Sequence, residues 1–165
     1  MSKGVSRLHE EYNKIKENDE LCQIGGKVNL INNNFLHWKA CLKGPKNTPL
    51  ENGLFILEMK FSQNYPDERP LVQMRTPTIH PNINNRNGNI SSDYLSKWNK
   101  DYNINGILHA VFMLLAYPNF HNSYLIGINE SIYFEKASKM TSKYAGENQS
   151  YNWDNSWDKG WSNDI

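Results

Sequence analysis

The sequence predicts an α+β fold: an N-terminal helix, a four-stranded antiparallel meander, then C-terminal helices. Three observations carry this reading. Apolar residues first recur at helical spacing, at Val5, Leu8, Tyr12 and Ile15. They then alternate with polar ones from about residue 35 to residue 61, the period of a strand. After residue 104 the helical period returns. Strands grouped before helices, rather than interleaved with them, build a sheet with the helices packed on it.

The elements follow in order. The first helix ends near Asn18-Asp19, with Glu10 and Lys14 four residues apart on another face. Residues 21–31 hold short β-type runs broken by Gly25-Gly26, and Asn32-Asn33-Asn34 reads as a hairpin turn. Over residues 35–42, Leu36, Trp38, Ala40 and Leu42 share one face, and His37, Lys39 and Cys41 the other. A Gly/Pro-rich loop at 43–49 leads to a strand over 53–61, where Phe55, Leu57, Met59 and Phe61 share a face. Asn64-Tyr65-Pro66 turns the chain into a shorter strand near 71–74. Ile104, Ile107, Leu108, Val111, Leu114 and Leu115 form a wide apolar stripe, stopped by Pro118. A weaker helical pattern runs from Ile128 through Ile132 and Met140 to Tyr144.

Composition bounds the function. At 165 residues the chain predicts one domain, large enough to bury roughly 68–70% of its unfolded surface. A formal charge of +1 supplies no field to draw nucleic acid. No apolar run approaches the ~20 residues that span a bilayer. Cys22 and Cys41, with no signal peptide before them, fit a reducing cytoplasmic or nuclear setting and no disulfide. His9, His37, His80, His109 and His121 are scattered, without metal-ligand spacing, so no metal and no cofactor is expected.

Between strands and helices lies the stretch most suggestive of chemistry. His80-Pro81 is a rigid bend, because proline fixes its own φ and pushes the preceding residue towards extended backbone. Asn84-Asn85-Arg86-Asn87-Gly88 is dense in turn formers and predicts a long irregular loop. That loop carries the Asn82 amide, the Ser91 and Ser92 hydroxyls, the Asp93 carboxylate and Trp98. Polar groups on a rigidly held loop are candidates for a site.

His80-Pro81-Asn82, then Gly88-x-Ile90, then a nucleophile position, an Asp two residues later and Trp98 together resemble the core of the ubiquitin-conjugating enzymes. The supporting motifs stand in the same order: Phe35-x-His37-Trp38-x-Ala40, Gly44-Pro45, Thr48-Pro49, Gly53-x-Phe55 and Tyr65-Pro66. The resemblance covers about residues 8–115, and less closely to about 145. It implies a thioester-forming cysteine after Gly-x-Ile; this chain has Ser91 there. It implies that Asn82 helps stabilise the oxyanion formed when a lysine attacks the thioester. The alternative for Asn82 is that it ties the loop together through backbone hydrogen bonds. A serine needs an adjacent base where a cysteine does not. His80, structural by the resemblance, and Asp93 are the only nearby groups for a Ser-His-Asp arrangement, and sequence spacing says nothing about its geometry.

The chain departs from the family elsewhere. Asp67-Glu68-Arg69 and Asn99-Lys100-Asp101 put charge into two loops that in the family form the ligase-docking surface, where charge is unfavourable at an interface core. Asn122 stands where the family often has a gating carboxylate that orients or deprotonates the incoming lysine. The domain division is 1–147 for the conjugating-like core and 148–165 for a tail of flexible composition. In that tail Trp153, Trp157 and Trp161 recur every four residues. The tail folds back over an apolar patch of its own domain, presents a partner-binding motif, or does neither. The function expected is a non-catalytic, conjugating-enzyme-like binding or scaffold subunit. Its partners would be ubiquitin or a ubiquitin-like protein, with an active conjugating enzyme or a ligase. The alternative is an active conjugating enzyme whose catalytic cysteine Ser91 has replaced.

Overall fold

A computed structural model describes residues 1–146, so the expected tail lies outside the described residues. Helix α1 (Lys3–Asn18) starts at Ser2, whose Oγ accepts the Val5 N–H at 3.2 Å. It buries Leu8 and Ile15 and ends at Asp19, which adopts a left-handed φ of 48°. The ion pair along this helix is Arg7–Glu11 at 2.7 Å, while Lys14 turns to Glu20. The next run is not a strand. Cys22–Ile24 forms a single 3₁₀ turn closed by Gly25 at φ +60°, a conformation glycine adopts without steric cost. Cys22 is exposed there, while Cys41 on the sheet is buried.

Strands β1 (Lys27–Ile31), β2 (Asn34–Lys43), β3 (Leu54–Lys60) and β4 (Leu71–Met74) pair antiparallel in the order β1-β2-β3-β4. The β1–β2 hairpin turns on Asn32 and Asn33, both at positive φ (53° and 54°), as a tight two-residue turn requires. Leu30 pairs with Trp38, Ala40 with Leu57, and Leu57 with Met74, which sets every second residue facing inward. Trp38, Ala40, Leu42, Phe55, Leu57, Met59 and Met74 are completely buried on that face.

Helix α2 is one turn, Asp93–Ser96. Helix α3 (Ile104–Ala116) is capped by Asn103, whose Oδ1 accepts the Gly106 N–H at 2.7 Å, and it buries Ile104, Ile107, Leu108, Val111 and Leu115. Helix α4 (Glu130–Met140) passes into a wider turn over Thr141–Ala145. Its buried face is Tyr133, Ala137, Thr141 and Ala145; of the expected pattern Ile128 and Met140 pack partly buried against the core, while Ile132 is 38% exposed and Phe134 beside it 54%. Ala137 and Thr141 carry little hydrophobic signal, so close packing of small residues was invisible to periodicity.

The outer face of the sheet holds a buried carboxylate. Glu58 accepts from His37 Nε2 at 2.6 Å, pairs with Arg75, and lies 3.4 Å from Lys60 Nζ. Burial alone would raise its pKa, but the hydrogen bonds from His37 and Arg75 and the neighbouring cations bring it below the usual carboxylate value. Among the described residues no helix is long and apolar enough to cross a membrane, and no group of three or more His, Cys, Asp or Glu could hold a metal ion.

Candidate functional site

The central stretch is more ordered than its turn-rich sequence suggests. Met74 N–H donates to Gly88 O, Asn84 N–H to Asn89 O and Ser91 N–H to Asn82 O, each at 2.8 Å. Ile83 and Ile90 form an antiparallel bridge, and Gly88, at φ +76°, makes the reversal. Residues 82–91 therefore double back as a short ladder rather than an irregular loop. Arg86 and Asn87 are exposed at its tip, while Gly88 is buried.

His80 anchors this ladder. It is completely buried, its Nε2–H donates to Leu114 O at 3.0 Å, and its Nδ1 accepts the Asn82 N–H at 3.1 Å. Burial pushes its pKa down to about 4, so the ring is neutral at neutral pH with both nitrogens in use. A ring so committed is no base for Ser91. Asp93, the third member of the conceivable triad, has a side chain 90% exposed and faces Lys97 at 3.6 Å. The Ser-His-Asp arrangement is not assembled.

Asn82 is 1% exposed and saturated. Its Nδ2 donates to Asn119 O at 2.8 Å and to Asn122 O at 2.9 Å, and its Oδ1 accepts the Asn119 N–H at 2.8 Å. Tyr124 N–H adds a bond to Pro81 O at 2.7 Å. Asn82 thus binds the His80 corner to the segment after α3. To stabilise an oxyanion it would first have to release a carbonyl. Asn119 was not identified from sequence, because the partner that matters here, Asn82, lies 37 residues away.

Ser91 stands half-buried on the wall of a groove of about 350 Å³ lined also by Leu71, Ile90, Ser92, Leu95 and Tyr124. Among the described residues its one side-chain partner is the Asn122 amide, whose Nδ2 donates to Oγ at 3.3 Å. Asn122, singled out from sequence, does face position 91, through a neutral amide that can donate to the hydroxyl but, unlike a carboxylate, cannot take its proton. Neither cysteine belongs to this site: Cys22 is in the turn after α1, and Cys41 is on β2, its thiol pushed by burial up to about 11.

The two charged loops meet beside the groove. Trp98 Nε1–H donates to Pro66 O at 2.7 Å, and Trp98 stands edge-on to Tyr94 and Tyr102. Asp67, Glu68, Arg69, Lys100 and Asp101 are all exposed around it. Helix α1 clamps both loops: Arg7 donates to the Lys100 and Tyr102 carbonyls, and Glu11 accepts the Tyr65 O–H at 2.9 Å and the Ile104 N–H at 2.8 Å. Burial and Glu11 push the Tyr65 phenol well above its ordinary pKa, so it stays a donor. Sequence reading missed Arg7 and Glu11. Their i,i+4 spacing was visible; their partners, 54 to 95 residues on, were not.

Comparison with known families matches residues 7–145 to the family described as ubiquitin-conjugating enzyme. A probable ubiquitin-conjugating enzyme E2 of Acanthamoeba polyphaga mimivirus is 37% identical over 120 residues, 72% of this chain and 75% of that protein. A ubiquitin-conjugating enzyme E2 of Schizosaccharomyces pombe is 32% identical over 70% of this chain and 72% of its own length. Among solved structures, a Plasmodium yoelii protein described as a ubiquitin-conjugating enzyme superposes with a TM-score of 0.79 at 27% identity, covering 88% of this chain and 97% of that one.

Proposed function

The chain belongs to the ubiquitin-conjugating enzyme family, and on that premise we propose that it is a non-catalytic member, a binding or scaffold subunit of a ubiquitin or ubiquitin-like pathway. The observation that carries this reading is Ser91: the resemblance puts it where the family has its thioester-forming cysteine, and among the described residues its hydroxyl has an amide for a partner and no base. An unactivated serine hydroxyl is a weak nucleophile at neutral pH, whereas a thiol is already a few per cent thiolate. The charged loops around Trp98 point the same way, since exposed charge there weakens docking of an apolar ligase surface. On this reading Asn82 is a positioning residue that keeps the groove in shape. The partners are ubiquitin or a ubiquitin-like protein together with an active conjugating enzyme or a ligase, met in the cytoplasm or nucleus. Residues 1–147 form the working core and 148–165 a separate tail.

One observation favours the second reading, an active conjugating enzyme whose cysteine Ser91 has replaced. The His80–Asn82 corner is intact and saturated, so the scaffold for chemistry persists. The two are separated by incubation with an activating enzyme, ATP and ubiquitin, followed by gels with and without reductant. The chain as it stands forms no reductant-sensitive adduct. Ser91→Cys charges weakly and passes little ubiquitin to lysine if the site serves binding. Rapid charging followed by rapid discharge to lysine overturns the non-catalytic reading.

A further inference from the structure

The inner face of the sheet is occupied by helices: Tyr12 of α1 stands edge-on to Trp38, and Thr141 beyond α4 lies beneath Gly53. The outer face has a different character. The strand register places Lys27, Lys39, Lys43, Lys60 and Arg75 on it, against the carboxylate of Glu58, which already serves Lys60 and Arg75. The face is therefore net positive although the whole chain is close to neutral. At its centre Cys41 and Ile56 are only 7% and 5% exposed, so an apolar floor lies between the cations.

The segment after residue 146 is the chemical complement of that face. Residues 147–165 carry Glu147, Asp154, Asp158 and Asp164 against Lys159, together with three tryptophans. The chain enters this segment beside the sheet, since Gly146 bridges antiparallel to Gly53 immediately before β3. At ~3.3 Å per extended residue, the seven residues from Gly146 to Trp153 reach roughly 23 Å, enough to turn from the end of β3 onto the face. Run extended, a chain with tryptophans every four residues would present Trp153, Trp157 and Trp161 on one side over roughly 26 Å, close to the length of a seven-residue strand. Indole faces attract lysine and arginine cations, and tethering raises the local concentration of the segment far above that of a free partner.

We infer that residues 147–165 are the ligand of the outer sheet face. The tryptophans lie over the lysine and arginine heads and the Cys41–Ile56 floor, and the carboxylates sit among the cations.

The test uses the full chain labelled with ¹⁵N. Its five indole N–H signals divide into those of Trp38 and Trp98 in the domain and those of the tail tryptophans. Bound tail indoles resonate away from the free-indole position, and raising the salt concentration moves them back towards it as the charges are screened. The double substitution Lys43→Glu with Lys60→Glu releases them at low salt and speeds proteolysis within 147–165 several-fold. Lys136→Glu, off this face on α4, does neither. Tail indoles that sit at the free position in the unsubstituted chain at low salt overturn the inference. So do shifts that appear only as protein concentration rises, which would make a second copy the occupant. The salt titration needs no variant and decides the matter even if the double substitution fails to fold.

Discussion

The His80–Asn82 corner and the Ser91 rim are joined by one backbone hydrogen bond, from Ser91 N–H to Asn82 O, yet they are built on opposite terms. At the corner every side-chain polar atom is buried and paired, and the partners are backbone groups, the Asn82 N–H within the corner and the others at Leu114, Asn119 and Asn122. At the rim the hydroxyl is half-buried, and its one neighbour is a long hydrogen bond from an exposed amide. A buried polar network is costly to break, because each orphaned group carries its desolvation penalty. A half-exposed hydroxyl can be exchanged with little effect on the fold. The shape of the site and its reactivity are therefore separable in this molecule, and a chain can keep the first while losing the second.

The largest effect should come from breaking the corner. Asn82→Ala orphans the Asn119 N–H and the carbonyls of Asn119 and Asn122, at about 1–3 kcal/mol each before water enters. We expect a loss of about 3–5 kcal/mol in urea denaturation. A loss under about 0.5 kcal/mol, the range of surface sites, would put Asn82 on the same footing as the rim.

Acid should strain the corner next. His80 has a folded pKa of about 4, below its unfolded value of 6.5, so the unfolded chain binds the proton first. Stability is unaffected by this group above pH 6.5 and falls as pH drops from there to about 4, by ~3 kcal/mol at most. Glu58, held below the usual carboxylate value, adds to the loss once pH falls through the ordinary carboxylate range. Following His80 by NMR between pH 7 and 5 checks the sign: its ring should stay neutral across that range.

At the rim, Ser91→Cys should change stability by less than about 0.5 kcal/mol while creating a thiol that an activating enzyme can charge. Calorimetry on the same preparation used for charging reads both. A large melting shift would mean that the rim is structural as well.

The smallest effect sharpens the contrast. Asn122 serves the corner through its backbone carbonyl and the rim through its side chain. Asn122→Ala should therefore leave stability within about 0.5 kcal/mol of the parent. In a Ser91→Cys background, Asn122→Asp should speed discharge to free lysine, because a carboxylate can take up the proton that an amide cannot. An unchanged discharge rate would remove position 122 from the chemistry.

By itself the sequence determined the α+β order, the inward face of β2 and β3, the α1 and α3 stripes, and the line-up of His80, Asn82 and Ser91. All of these are local, written in a period of two or of 3.6 or in a short motif. Tertiary structure alone decided which partners those residues take. Asn82 reaches 37 and 40 residues forward, Glu11 more than ninety, and α4 settles on Ala137 and Thr141, which carry almost no hydrophobic signal. Periodicity reports which face of an element prefers to leave water. Which distant backbone groups are satisfied by a buried amide depends on how those faces meet, and no local pattern encodes that meeting.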